Sequence, residues 1–358
     1  MFLLRVRRLQ MFHSVQVSSG MLGALCALVA CTSWLGCGVM RADLLPERLE
    51  RFVFEKAEMG VPFRVTLYAR ADSEAQRAAQ KAFARVSELN AVFSDYDSDS
   101  ELSVLSESSG KGRPVQVGAD LWRVLERALY FSKKSDGAFD MSVGPLVNLW
   151  RTARRKRTLP DPDKIREALG RTGYSSIRLD EASQSVELLK SRMRLDAGGI
   201  AKGYAIQEAL KVLVNLGHKA CMVEGGGDLA VGDAPPGTGG WRVSITALDH
   251  QNAPAPQVLD ITHRALSTSG DLYQRLEIDG VRYSHIVDPR TGVGLMDHSL
   301  VSVLGPNAMD TDALSKVIAV LGPERGIPIA EQMEGVSVYV IRAPEGRLEE
   351  WRSANWTH

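Results

Sequence analysis

The chain has 358 residues, of which 44% are hydrophobic and 24% charged, and its 43 basic side chains match 43 acidic ones. A balanced charge offers no net field for nucleic acid or an acidic polymer, so a polyanion-binding role is excluded as the organising theme. One cysteine, Cys221, lies outside the first forty residues, which excludes a disulfide framework and a cysteine-histidine metal cluster in the body.

The first forty residues read as a targeting segment. Arg5, Arg7 and Arg8 precede an uncharged run of twenty residues from Met21 to Met40, and fold reasoning starts after it. Leu28-Val29-Ala30-Cys31 has the form of a lipobox, with small residues before a cysteine that is lipidated after cleavage. An uncleaved anchor is the alternative, because twenty apolar residues just span a bilayer. Thr32, Ser33, Gly36 and Gly38 weaken the second half of the run and favour the lipoprotein. Either way the chain is expected to be exported and held at the inner membrane on its periplasmic or other extracytoplasmic face.

Residues 46–358 contain no repeat, low-complexity tract or Pro/Ser linker, and read as one compact catalytic body, either a single elaborated domain or two intimately packed lobes. Phe52 to Tyr68 alternates as a hairpin that turns at Met59-Gly60-Val61-Pro62. Glu74 to Phe93 is predicted as a helix from the spacing of Ala82, Phe83, Val86, Leu89 and Val92. Asp95 to Gly110 is predicted as a polar loop, Leu121 to Lys134 as a second helix, and the basic stretch Arg151 to Arg157 as a solvated helix face. Tyr204 to Leu213 carries helical spacing. Strands are predicted at 220–224, 241–248, 265–269, 283–287, 300–304 and 336–341, with a helix at 311–321. Mixed strands and helices without regular β-α alternation indicate an α+β fold with mixed sheets and packed helices.

Three stretches carry candidate chemistry. Asp196-Ala197-Gly198-Gly199-Ile200-Ala201-Lys202-Gly203-Tyr204 ends an apolar run in a carboxylate, opens two glycines and starts a helix at a lysine, which suits a pyrophosphate cradle. A plain strand-to-helix turn is the other reading of the glycine pair. Gly225-Gly226-Gly227-Asp228 fits a dinucleotide fingerprint only formally, because Pro235 and Pro236 forbid the helix that must follow; a tight turn at a site wall is preferred. His285 stands before the constrained turn Asp288-Pro289-Arg290-Thr291-Gly292, either as a structural histidine or as one that takes a hydroxyl proton or donates to a phosphate. Asp310 and Asp312 flank Thr311 at a helix start. They read as dipole compensation or as a hard-cation site, since Mg²⁺ takes one or two protein oxygens plus substrate phosphates.

These residues in this order resemble the ApbE family, the FAD:protein FMN transferases. The resemblance spans about Met59 to Gly322, through Met59-Gly60, Phe93-Ser94-Asp95-Tyr96, Gly137-Ala138-Phe139-Asp140, Asp196 to Tyr204, Glu224 to Asp228, Thr268 to Asp271, Ser284 to Gly292 and Asp312-Ala313-Leu314. It implies that FAD is cleaved at its pyrophosphate with Mg²⁺, that FMN passes to a Thr or Ser hydroxyl of an acceptor redox protein, and that AMP leaves. It further implies that Met59, Tyr96, Ala138, Phe139, Asp140, Asp196, Lys202 and Ile286 contact FAD and that His285 activates the acceptor hydroxyl. The metal would be held by the Gly199 carbonyl and Asp312. One departure stands out: Lys316 occupies a position where the family often has a threonine. A protonated lysine cannot coordinate a metal, so Ser315 or water would supply the missing oxygen, or Lys316 would point away, or metal affinity would fall. An FAD pyrophosphatase and a non-catalytic FAD-binding lipoprotein are the competing functions.

Overall fold

The computed structural model describes residues 4–5, 49–270 and 275–357. The lipobox and the apolar run at 21–40 therefore lie outside the described residues. Among the described residues no helix is long and apolar enough to cross a membrane.

The chain opens with β1 (Leu4–Arg5), then β2 (Glu50–Glu58) and β3 (Val61–Ala69), which pair antiparallel through a two-residue turn. Met59 and Gly60 both take positive φ there, 50° and 77°, the combination that matches strand twist in a tight hairpin. The helices α1 (Asp72–Phe93) and α2 (Glu101–Glu107) follow. α2 corrects the expectation of a loop over 95–110. Ser100 caps it by accepting from the Ser103 N–H at 3.1 Å, and Leu102 and Leu105 are buried. Two helical turns are too short for apolar periodicity to show through a Ser- and Asp-rich composition.

After β4 (Val115–Gln116) come α3 (Ala119–Lys134), α4 (Gly144–Lys156), α5 (Pro162–Gly170), β5 (Ile177–Asp180) and β6 (Ser185–Leu188). Then α6 (Ala201–Asn215) leads to β7 (Cys221–Gly225), β8 (Asp228–Val231), β9 (Trp241–Ile245), β10 (Gln257–Ile261) and β11 (Ala265–Gly270). β12 (Arg275–Ile278), β13 (Val281–Ser284), β14 (Ser299–Gly305), α7 (Ala308–Leu321), α8 (Pro323–Glu331), β15 (Ser337–Arg342) and β16 (Glu349–Arg352) complete the body. The expected strand at 241–248 stops at Ile245, and that at 283–287 is β13, ending at Ser284, so His285 stands just beyond a strand.

The central sheet runs β1-β2-β3-β7-β8-β11-β14-β15-β16, every neighbouring pair antiparallel. Strand alternation divides its apolar side chains between two faces. Val65, Leu67, Val223, Val301, Val303, Val338 and Val340 pack with α1, α6 and α7, whereas Leu300, Leu304, Tyr339 and Ile341 pack with Trp241, Val243 and Ile261 of the β9–β10 hairpin. A third apolar cluster joins Leu146, Trp150 and Ala153 of α4 to Ala168, Leu276 and Val287. The fold is thus α+β, and the third cluster sets the segment that carries His285. The Trp150 indole anchors the following turn by donating to the Gly292 carbonyl at 2.8 Å.

Candidate functional site

Two hairpin turns meet at one end of the sheet. Beside the Met59-Gly60 turn lies that of β7–β8, in which Gly226 and Gly227 have φ of 61° and 95°. As expected, this triple-glycine stretch is a tight turn at a site wall and opens no helix. A cleft of about 1210 Å³ runs over these turns, the entry to α6 and the segment after β13. It exceeds the volumes that hold drug-sized ligands, as a dinucleotide requires. Met59, Tyr96, Ala138, Phe139, Asp140, Asp196, Gly199, Lys202, His285 and Ile286 all line it. Asp312 and Ser315 do not; both are fully buried behind its wall, while Lys316 reaches the lining.

The glycine pair before α6 has two local reasons. The Gly198 N–H donates to Asp196 Oδ1 at 2.8 Å, and a Cβ on Gly199 would come within 3.2 Å of the Phe139 ring. Lys202, in the first turn of α6, donates to the Gly198 carbonyl at 3.1 Å, with Asp228 at 3.7 Å and Asp312 at 3.8 Å. Burial alone would lower the Lys202 pKa, but Asp312, Asp228 and Asp196 together raise it, so the ammonium stays charged beside the cleft. Asp228 is the converse case. Burial, reinforced by Asp312, pushes its carboxyl up to about 6, and neither of its oxygens accepts a well-formed hydrogen bond.

Asp196 is held from the other side by Arg151. The guanidinium bridges Asp95 and Asp196, donating to the latter at 3.1 Å, and lies 4.6 Å from the centre of the Tyr96 ring. This corrects the reading of the 151–157 stretch as solvated: Arg151 belongs to the site, while Arg155 to Arg157 are exposed. The Tyr96 ring is 81% exposed, a platform braced by a cation and open to a ligand. Burial, then Asp95, pushes the Asp196 carboxyl above the usual carboxylate range, with Arg151 opposing. Asp140 lines the cleft, yet its carboxylate is spent within the fold. It accepts from the Ser142 N–H, the Ser142 hydroxyl and the Tyr174 N–H, each at 2.7 Å.

Of the two acidic residues at the start of α7, Asp310 is structural. Its two oxygens take the Arg127 guanidinium at 2.6 and 2.9 Å, and Asn307 caps the helix in its place. Asp312 accepts the Gly203 N–H at 2.8 Å and forms an ion pair with Lys316 four residues on. Burial would raise its pKa, but Lys202 and Lys316 hold it below the usual carboxylate range. The Ser315 hydroxyl pairs with Ser269 at 2.7 Å and donates to the Asp312 carbonyl at 2.7 Å. The expected metal set of Gly199, Asp312 and Ser315 therefore does not fit an ion: Asp312 already holds an ammonium and Ser315 is turned to β11. Among the described residues no group of three or more His, Cys, Asp or Glu side chains could hold one.

Beside β13, the Ile286 N–H donates to the Ser284 hydroxyl at 3.1 Å, and Arg290 takes both oxygens of Asp288 at 2.9 and 2.8 Å. The turn that follows His285 is thus closed on itself. Sequence reasoning missed Arg151, Asp95 and the charge group of Asp228 with Lys202. Asp95 belongs to the Phe93-Ser94-Asp95-Tyr96 stretch, but nothing local says that a helix fifty-six residues on supplies its cation.

The sequence profile of the ApbE family matches residues 59–340. The FAD:protein FMN transferase of Treponema pallidum (strain Nichols) is 32% identical over 305 residues, covering 80% of this chain and 84% of that protein. That of Escherichia coli (strain K12) is 29% identical over 340 residues, covering 91% and 94%. The flavin transferase ApbE from Vibrio cholerae superposes with a TM-score of 0.77 at 27% identity, covering 86% of this chain and 99% of that one. A profile that spans most of the body, relatives aligned over 80% or more of both chains and a shared fold lead to one conclusion: the chain belongs to the ApbE family.

Proposed function

We propose that this chain is an FAD:protein FMN transferase that moves FMN from FAD to a Thr or Ser hydroxyl of an acceptor redox protein and releases AMP. The observation that carries the reading is the convergence, on one large cleft, of a charged lysine at a helix entry, a braced aromatic face and a histidine on a rigid turn. Tyr96 and Met59 would flank an aromatic portion of FAD. Lys202, with the N-terminal end of α6, would neutralise the pyrophosphate. His285 would take the proton of the acceptor hydroxyl as its oxygen attacks the FMN-side phosphorus. The bond from that phosphorus to the bridging oxygen breaks, and the bridging oxygen leaves on AMP. No step of this reading passes through a protein-bound Mg²⁺, because Gly199, Asp312 and Ser315 do not fit one.

Export and attachment to the outer face of the inner membrane, through a lipid on Cys31 or an uncleaved run at 21–40, belong to the same proposal. The test of the activity is intact mass spectrometry of a threonine-bearing acceptor domain incubated with the protein, FAD and Mg²⁺. A gain of one FMN with stoichiometric AMP supports transfer. FMN and AMP released with the acceptor unlabelled would replace it with a pyrophosphatase, and intact FAD with a binding protein. A His285→Ala variant should keep FAD and lose turnover.

A further inference from the structure

The place where the family resemblance puts a metal is filled by a side chain of this protein. Lys316 lies one helical turn beyond Asp312 on α7, and its ammonium pairs with Asp312 Oδ1. Its aliphatic stem passes under the glycine cradle: the Lys316 Cγ is 3.6 Å from the point where a Cβ on Gly199 would stand. The side chain therefore spans from Gly199 to Asp312, the two groups expected to hold the ion. The other carboxylate oxygen, Oδ2, is engaged by the Gly203 N–H at 2.8 Å and faces Lys202 at 3.8 Å. A protonated lysine offers no lone pair, and a divalent ion seated on Asp312 would be repelled by two ammonium groups within a few ångströms.

We infer that Lys316 is the resident cation of this cleft, so that Lys316 and Lys202 together present fixed positive charge to the FAD pyrophosphate and the chain holds FAD without a protein-bound divalent ion. The inference rests on the reading of the cleft as an FAD site. Three features make Lys316 fit the role. It reaches the cleft lining, whereas Asp312 is buried behind it. One of its three N–H donors is engaged by Asp312, which leaves donors for phosphate oxygens. The Asp312 anchor also fixes the ammonium in position, so little side-chain entropy is lost when a phosphate arrives.

The experiment uses the full chain and two probes. FAD binding is titrated by flavin fluorescence in EDTA and in Mg²⁺, and Mn²⁺ binding to the protein without FAD is followed by electron paramagnetic resonance. The parent protein should bind FAD with a Kd that differs less than about threefold between EDTA and Mg²⁺, and it should not take up Mn²⁺. Lys316→Thr should lose about tenfold or more in FAD affinity in EDTA, regain it with Mg²⁺, and bind Mn²⁺ in a manner abolished by Asp312→Asn in the same background. Mn²⁺ uptake by the parent at Asp312, or a tenfold loss of its FAD affinity in EDTA, overturns the inference. Failure to bind FAD in either medium removes the FAD reading and this inference with it, and the Mn²⁺ arm then separately reports whether Lys316 excludes a metal.

Discussion

Replacing Gly203 by alanine sets two effects of opposite sign against each other. Gly203 lies inside α6, where helix propensity alone makes Gly→Ala stabilising by about 1 kcal/mol. The tertiary structure reverses the sign. A Cβ on Gly203 would stand 2.1 Å from the Ala308 carbonyl oxygen and 2.6 Å from the Asp312 Cβ, on a neighbouring helix that is backbone and buried side chain at the contact. No flexible group can move aside, so α6 and α7 must part by about 1 Å, an overpacking cost of roughly 1–3 kcal/mol. The same movement lengthens the 2.8 Å bond from the Gly203 N–H to Asp312, and a hydrogen bond to a charged group is worth about 1.5–3 kcal/mol. Offsetting these against propensity leaves a net loss of about 1.5–5 kcal/mol, or roughly 2–8 °C in a body of this size. Thermal unfolding followed by circular dichroism reads the first consequence, and FAD titration the second, because Asp312 anchors Lys316. A variant with an unchanged or higher Tm and parental FAD affinity would refute the close approach of α6 and α7 as the reason for this glycine.

Arg151→Ala leaves Asp95 and Asp196 facing each other without their cation. Because the guanidinium is only partly buried, the expected loss is about 1–3 kcal/mol, between the values for exposed and buried pairs. FAD affinity should fall several-fold as Tyr96 loses its brace, and a variant unaltered in both Tm and FAD titration would return Arg151 to the solvated face of α4. Asp228→Asn tests the buried carboxylate. With the Asp228 pKa raised to about 6, the folded state holds a proton that the unfolded chain releases, so the parent loses stability as pH rises from the ordinary aspartate range through about 6. Urea unfolding should show the variant more stable than the parent by about 1–3 kcal/mol above that window and similar to it below; a less stable variant at alkaline pH would mean that Asp228 is well paired. Asp310→Ala should cost about 1 kcal/mol through the lost Arg127 pair and leave FAD affinity intact, in contrast to changes at Asp312; a fall in affinity would place Asp310 in the site.

What local sequence determined was what nearest neighbours along the chain can decide. The hairpin at Met59-Gly60 follows from turn chemistry, α1 and α3 from apolar periodicity, and the β7–β8 turn from two glycines that tolerate positive φ. The pairing of Lys316 with Asp312 is also local, an i,i+4 contact on one helix face, which makes the charge in that position readable from spacing alone. The short helix α2 and the strands β5, β6, β10 and β12 were not legible, because each mixes its few apolar residues with polar or charged ones, whereas strands as short as β7 and β15 stand out by their apolar content. Only the tertiary structure decided which charges converge. Arg151 and Asp196 are forty-five residues apart and Gly203 and Asp312 more than a hundred, and Coulomb energy depends on separation in space, which helix spacing within one element does not supply. The basic run on α4 therefore looked uniform in sequence, while packing of Leu146, Trp150 and Ala153 brought Arg151 and Arg154 to the cleft and left residues 155–157 in water.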